Sequence, residues 1–165
     1  MASSRAHCPA PRIALLLAAG LALAACAQPG GRAPMGDPGA VAASSPVYFR
    51  ETVGDRVLFS VDQSSLTPGA QETVAAQARW LAANPGYAAT IEGHADEQGT
   101  REYNLALGAR RAAAVQDYLV AQGVAEARLR TVSYGKERPV AVCSDESCYA
   151  QNRRAVTVLQ GGAGS

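Results

Sequence analysis

The feature that most constrains this 165-residue chain is an uncharged apolar run over residues 13–25, IALLLAAGLALAA, behind Arg5, His7 and Arg12. At about 1.5 Å per helical residue the run covers roughly 20 Å, short of a hydrocarbon core of about 30 Å. A basic lead-in and a short apolar stretch are the pattern of a secretory signal, so residues 1–25 are expected to be an address and not part of the fold. Gly20 and the Pro/Gly-rich sequence that follows weaken the alternative of a buried helix. Residues 28–46, QPGGRAPMGDPGAVAASSP, have no apolar period and form an expected flexible tether with a root-mean-square span of roughly 25 Å. The tether region as a whole is 26–46, which leaves residues 47–160 for one domain with a single core and residues 161–165 as a tail.

Charge narrows the function classes. No acidic residue precedes Asp37, and loss of Arg5 and Arg12 with the leader leaves 13 basic against 14 acidic side chains. The remaining arginines are dispersed except for two Arg-Arg pairs, so the basic stripe needed to track a phosphate backbone is missing and no nucleic-acid partner is expected. With 48% hydrophobic residues, the chain is not of the disordered, charge-rich class.

From residue 47 onward strands and helices alternate. Arg56-Val57-Leu58-Phe59-Ser60-Val61 favours a strand. Thr67-Pro68 offers an N-cap with proline at the first helical position, and the apolar residues at 74, 78 and 81 continue a helix over 69–84. Asn84-Pro85-Gly86 stops it. Residues 87–94 form a second strand. Thr100 caps a second helix over 101–122, with Gly123 at its end. Residues 128–133 and 154–159 supply two further strands. The order β-α-β-α-β-β predicts an α/β sandwich of about 110 residues with its helices packed on a sheet.

The second helix carries an arginine in its core stripe. Leu107, Arg111, Val115 and Leu119 recur every four residues beside Ala112, so Arg111 faces inward and needs a partner. Asp96, just past the second strand, is the nearest candidate. Two arrangements stay open: a structural ion pair with or without snorkelling, or a pair facing a groove. In the second, a carboxylate accepts from a ligand ammonium while the guanidinium grips a ligand carboxylate, the chemistry that recognises the amino-acid end of a small molecule.

Two resemblances extend this reading. Leu23-Ala24-Ala25-Cys26 resembles the lipobox of bacterial lipoproteins, which implies acylation of Cys26, palmitate included, and attachment to membrane lipid. Ala27, where enteric lipoproteins retained in the inner membrane carry Asp, implies the outer membrane. With Cys8 in the leader and Cys26 acylated, Cys143 and Cys148 remain in an exported domain, where a local disulfide is expected. Two cysteines without a nearby third ligand are a poor zinc site.

Ile91-Glu92-Gly93-His94-Ala95-Asp96-Glu97-Gln98-Gly99-Thr100, followed by Asn104-Leu105-Ala106-Leu107-Gly108-Ala109-Arg110-Arg111-Ala112, resembles the peptidoglycan-binding core of the OmpA-like family. Its pattern N-x-x-L-S-x-x-R-A-x-x-V-x-x-x-L runs from Asn104 to Leu119, with Gly108 at the usual serine. Phe59 and Asp62 resemble the family's F-x-x-D, residues 133–139 its SYGKxxP and residues 149–156 its YAxNRRAV segment. Ser60 stands where many members have Asp. The resemblance implies helices on one mixed sheet and a periplasmic domain that holds meso-diaminopimelate of the peptidoglycan stem. Asp96 and Arg111 would flank that amino-acid end, Phe59 and Asp62 would line the groove, and Asn104 would brace the Asp96 loop. It also implies TolB and the trans-envelope Tol machinery as partners, a role in cell division, and no cofactor. Arg154 is expected either at the rim of the groove or as an ordinary solvated arginine.

Two other classes are weighed. One is an envelope protein-interaction domain in which the Asp/Arg pair is structural. The other is a metal-dependent or hydrolytic enzyme, because Glu92, His94 and Asp96 alternate along a strand and can share one face. Against it, His94 is the one histidine left after the leader, and no nucleophile elbow, His-Glu-x-x-His helix or phosphate loop occurs.

Overall fold

Strand β2 (Tyr87–His94) is the hub of the sheet, and its alternation explains why. Ala89, Ile91 and Gly93 are buried toward the helices, while Thr90 and Glu92 on the opposite face are half-buried. The computed structural model describes residues 41–161. The leader, Cys26, the tether up to residue 40 and residues 162–165 of the expected tail lie outside the described residues, whereas Gly161, expected in the tail, ends the last strand by pairing with Tyr87. Among the described residues no helix is long and apolar enough to cross a membrane.

The four described strands are β1 (Arg56–Leu58), β2, β3 (Leu129–Gly135) and β4 (Arg154–Gly161), in the spatial order β1-β4-β2-β3. β2 runs parallel to β3 and antiparallel to β4, which in turn pairs antiparallel with β1. The last strand therefore inserts beside β2 in the middle of the sheet. The architecture is the expected α/β sandwich on one mixed sheet.

Both long helices begin where the caps predict. Thr67 Oγ1 accepts from the amide of Ala70 at the start of α2 (Pro68–Ala83), and Thr100 Oγ1 accepts from Tyr103 N at the start of α3 (Arg101–Ala121). Gly123, with φ +93°, ends the turn after α3. Val74, Ala78 and Leu81 of α2 meet Ala112, Val115 and Leu119 of α3 in a core shared with Ile91, Leu129 and Ala155. Arg128, expected to open the third strand, instead lies in a short 3-10 turn (Glu126–Arg128). From there it donates to the Leu81 and Asn84 carbonyls, satisfying the end of α2.

Helix α3 approaches β2 closely because both surfaces lack a side chain at the contact. A Cβ on Gly93 would lie 1.8 Å from the Gly108 carbonyl oxygen, and one on Gly108 would lie 2.4 Å from Ser133 Oγ and 2.8 Å from Gly93 O. The glycine at the family's usual serine position thus packs on the sheet, away from any groove.

Four elements differ from the sequence expectation. β1 stops at Leu58, three residues early, because the chain turns at Ser60 and passes through Asp62 at φ +54°. A short helix α1 (Pro46–Tyr48), capped by Ser45, and a π-helical turn (Phe49–Gly54) precede it. Helix α4 (Glu146–Asn152) occupies what reads as a loop between β3 and β4. Asp145 caps α4 by accepting from Ser147 N and Cys148 N, a signature visible in the sequence but attached to only two turns of helix.

Candidate functional site

The groove forms where β1 and β2 release the chain. Val61 and Asp62 follow β1, Asp96, Gln98, Gly99 and Thr100 follow β2, and Tyr103 stands on the first turn of α3. Together they line a depression of about 510 Å³. Tyr103 Oη donates to Asp62 Oδ1 across its mouth (3.1 Å). Asp96 is buried but reaches the wall: Oδ1 accepts from Gln98 N (3.2 Å) and Oδ2 from Arg153 Nη1 (3.1 Å).

Arg111 lies beneath this groove and is wholly buried. Its Nε donates to Gln63 O (2.8 Å), Nη1 to His94 O (2.8 Å) and Nη2 to Ser60 O (3.1 Å). The guanidinium carbon sits 5.1 Å from the Phe59 ring centroid, a cation–π contact. Neither arrangement expected from the sequence is therefore formed in full. Asp96 and Arg111 make no ion pair, and Arg111 does not face outward. Burial lowers the Arg111 pKa to about 10, with Asp96 and Asp62 acting against that and Arg153 reinforcing it. The side chain remains a cation at neutral pH, held by neutral carbonyl oxygens.

The other expected residues divide between wall and support. Asp62 is on the wall. Phe59 is 4% exposed and belongs to the core while stacking on Arg111. Asn104 is buried and donates from Nδ2 to Gln98 O (2.7 Å), bracing the loop that carries Asp96. Arg154 is neither at the rim nor solvated. It points to the opposite side of the sheet, where Nη2 donates to Arg138 O (3.1 Å).

The alternation of Glu92, His94 and Asp96 does not assemble a catalytic or metal cluster. The ladder shifts register at Gly93/His94, and β2 ends there, so Asp96 turns into the groove while His94 is sealed against Tyr134. Neither His94 ring nitrogen has a hydrogen-bond partner, and Glu92 is 3.7 Å from Nε2. Burial, then Arg154 and Arg138, lower the His94 pKa from 6.5 to about 4, so the ring is neutral. Among the described residues the one grouping of potential metal-binding atoms is Cys143, Asp145 and Cys148. Its two sulfurs are joined in a disulfide with Cα atoms 5.7 Å apart, leaving no thiolate ligand.

The sequence model of the OmpA family matches residues 58–153, from the end of β1 to the arginine on Asp96. The chain belongs to the OmpA family. Within the family it is 56% identical over 158 residues to a peptidoglycan-associated lipoprotein of Agrobacterium fabrum, covering 92% of this chain and 88% of the relative. It is 60% identical over 150 residues to the protein of that name in Rhizobium meliloti, covering 88% and 85%. A crystal structure of the peptidoglycan-associated lipoprotein from Burkholderia pseudomallei superposes with TM-score 0.66 at 41% identity, over 70% of this chain and all of that one.

Two residues of this site escaped sequence reasoning. Tyr103 directly precedes the Asn104 that opens the family pattern, and its position on the first turn of α3 places it at the mouth. Arg153 had a signal in the period of two along β4: Ala155 and Thr157 face the helices, so Arg153 points to the same side as Arg111. It is 4% exposed, donates from Nε to Phe59 O (3.2 Å), and pairs with both Asp96 and Glu146.

Proposed function

We propose that this protein is an outer-membrane lipoprotein whose periplasmic domain reversibly binds peptidoglycan stem peptides through meso-diaminopimelate, without breaking a bond. The names of its relatives and the OmpA family membership support peptidoglycan as the ligand class. The observation that carries the finer reading is a buried guanidinium with neutral oxygens as its hydrogen-bond acceptors, directly below a groove walled by Asp96 and Asp62. A ligand carboxylate offers Arg111 what the neutral carbonyls do not, a full opposite charge and two oxygens that can take parallel N–H bonds from the guanidinium. Two of the three carbonyls, Ser60 and Gln63, lie on the turn after β1, so a shift of that turn admits the anion. Asp96 and Asp62 then accept from the ammonium.

Lipid on Cys26 would hold the chain to the outer membrane while residues 28–46 let the domain reach the wall. TolB and the Tol machinery are the proposed protein partners, which places the protein in the Tol-Pal system and in cell division. A second reading, a protein-interaction domain in which Arg111 is structural, draws on one observation, the complete burial of that side chain.

Titration calorimetry separates the two. A stem peptide ending in meso-diaminopimelate should bind more tightly than one ending in lysine, which lacks the second carboxylate. Arg111→Ala should weaken binding by about 2–5 kcal/mol. Because that change also empties a buried site, Asp96→Asn serves as the isosteric partner and should weaken binding with native circular dichroism. Equal affinity for the two stems would end the diaminopimelate reading.

A further inference from the structure

Asp96 lies beyond the sheet. The last backbone bond holding its segment is Ala95 N to Gly135 O, and from there its carboxylate is oriented by loops. Those loops converge on the small ring closed by Cys143–Cys148. Glu146, inside the ring, chelates Arg153: Oε2 accepts from Nη1 (3.3 Å) and Oε1 from Nη2. The same Nη1 donates to Asp96 Oδ2. Ser144 Oγ and Tyr149 Oη, within and just after the ring, both donate to Glu97 Oε1 at 3.1 Å. Asp145 fixes the ring internally through Ser147 N and Cys148 N. On the other side of the segment, Lys136 Nζ holds the Glu97 and Gly99 carbonyls (3.2 and 2.7 Å). Two consecutive residues of the groove loop, 96 and 97, are thus tied to the disulfide ring and the residue after it, Asp96 to Glu146 through Arg153 and Glu97 to Ser144 and Tyr149.

We propose that the Cys143–Cys148 ring is the positioning element of the binding groove, with Glu146 and Arg153 as the residues that aim the Asp96 carboxylate. The inference rests on the binding function proposed above. A bridge closing so short a loop removes little unfolded-chain entropy, so its effect is local. Closed, it fixes the partners of Asp96 and Glu97 before a ligand arrives, and the ordering cost is not charged to binding. Open, Ser144, Glu146 and Tyr149 sample other positions and Arg153 loses its second carboxylate. Asp96 then has to be ordered by the ligand.

The test uses the full-length chain in detergent and four forms: wild type, Cys143→Ser with Cys148→Ser, Glu146→Gln, and all three changes together. The bridge-free double variant should bind a stem ending in meso-diaminopimelate roughly tenfold more weakly, with unchanged circular dichroism, and Glu146→Gln should lose somewhat less. Added to the bridge-free variant, Glu146→Gln should cost nothing further, because both act through one support. A purely structural bridge predicts losses that multiply, or an affinity within about twofold of wild type, and either overturns the proposal. Hydrogen exchange gives a ligand-free readout. The Gln98 amide, which donates to Asp96 Oδ1, should exchange roughly tenfold faster without the bridge, and unchanged protection overturns the positioning role. If the bridge-free variant does not fold, Ser144→Ala with Tyr149→Phe keeps the bridge and should still speed exchange at 97–99; no change there counts against the proposal. If the wild type fails to bind the stem, the functional reading falls, and the exchange data alone judge the ring.

Discussion

At the scale of single residues the domain carries two buried bases treated in opposite ways. Arg111 keeps its proton because three carbonyls and an aromatic face solvate it, with Asp96 and Asp62 nearby. His94 is 1% exposed with both ring nitrogens unpaired, and it faces Tyr134, Arg138 and Arg154 with only Glu92 in opposition. Its lowered pKa, about 4, has a stability consequence. Between about 4 and 6.5 the unfolded chain binds a proton that the folded chain refuses, so stability falls as the pH drops through that window. Urea unfolding at pH 7 and pH 4.5 should show a loss of about 2 kcal/mol from this group, beyond that of the carboxylates. His94→Phe should remove that part of the loss. An unchanged pH dependence in the variant would mean that His94 titrates normally.

At the scale of elements, the contact of α3 with β2 sets the depth of the groove, because it fixes how far Arg111 and Tyr103 stand from the ends of the strands. The contact depends on Gly93 and Gly108 lying face to face. Gly93→Ala drives a methyl group into a helix carbonyl, which cannot swing away as a side chain tip can. The expected cost is about 3 kcal/mol or more, read as a lower urea midpoint with an unchanged slope. Gly108→Ala gains helix propensity of about 1 kcal/mol, set against a clash with Ser133 Oγ, which is held by a bond to the Leu105 carbonyl, and with Gly93 O. It should be the milder of the two. If Gly93→Ala unfolds like the wild type, the helix is free to back away from the sheet and the groove geometry is softer than described.

At the scale of the whole molecule, the proposed function needs a domain that is attached at one end and free to travel. Four separated segments build the site, residues 59–63, 94–100, 103–111 and 146–153, so the groove exists only in the complete sandwich. The proposed lipid anchor rests on the Leu23-Ala24-Ala25-Cys26 sequence alone. Cys26→Ala should yield no acylated amino terminus by mass spectrometry and should leave the domain's stem-peptide affinity unchanged. Wild-type protein attached through an uncleaved apolar segment, with an unmodified cysteine, would contradict the lipid anchor.

The order of the four strands and two long helices, the two threonine caps, the Cys143–Cys148 pairing and the placement of Arg111 on the core face of α3 could all be read from one sequence. Each is governed by neighbours within a few residues or by periodicity along one element. The insertion of β4 beside β2, the early end of β1 and the partner of Asp96 could not. They depend on segments far apart in the chain: the turn at Ser60–Gln63 leaves the sheet to give carbonyls to Arg111, and Arg153 arrives 57 residues after Asp96 to take its carboxylate. Along the chain, the core-facing cation within reach of Asp96 is Arg111. Only the packed structure, by supplying that cation with backbone oxygens, decided that the carboxylate belongs to another.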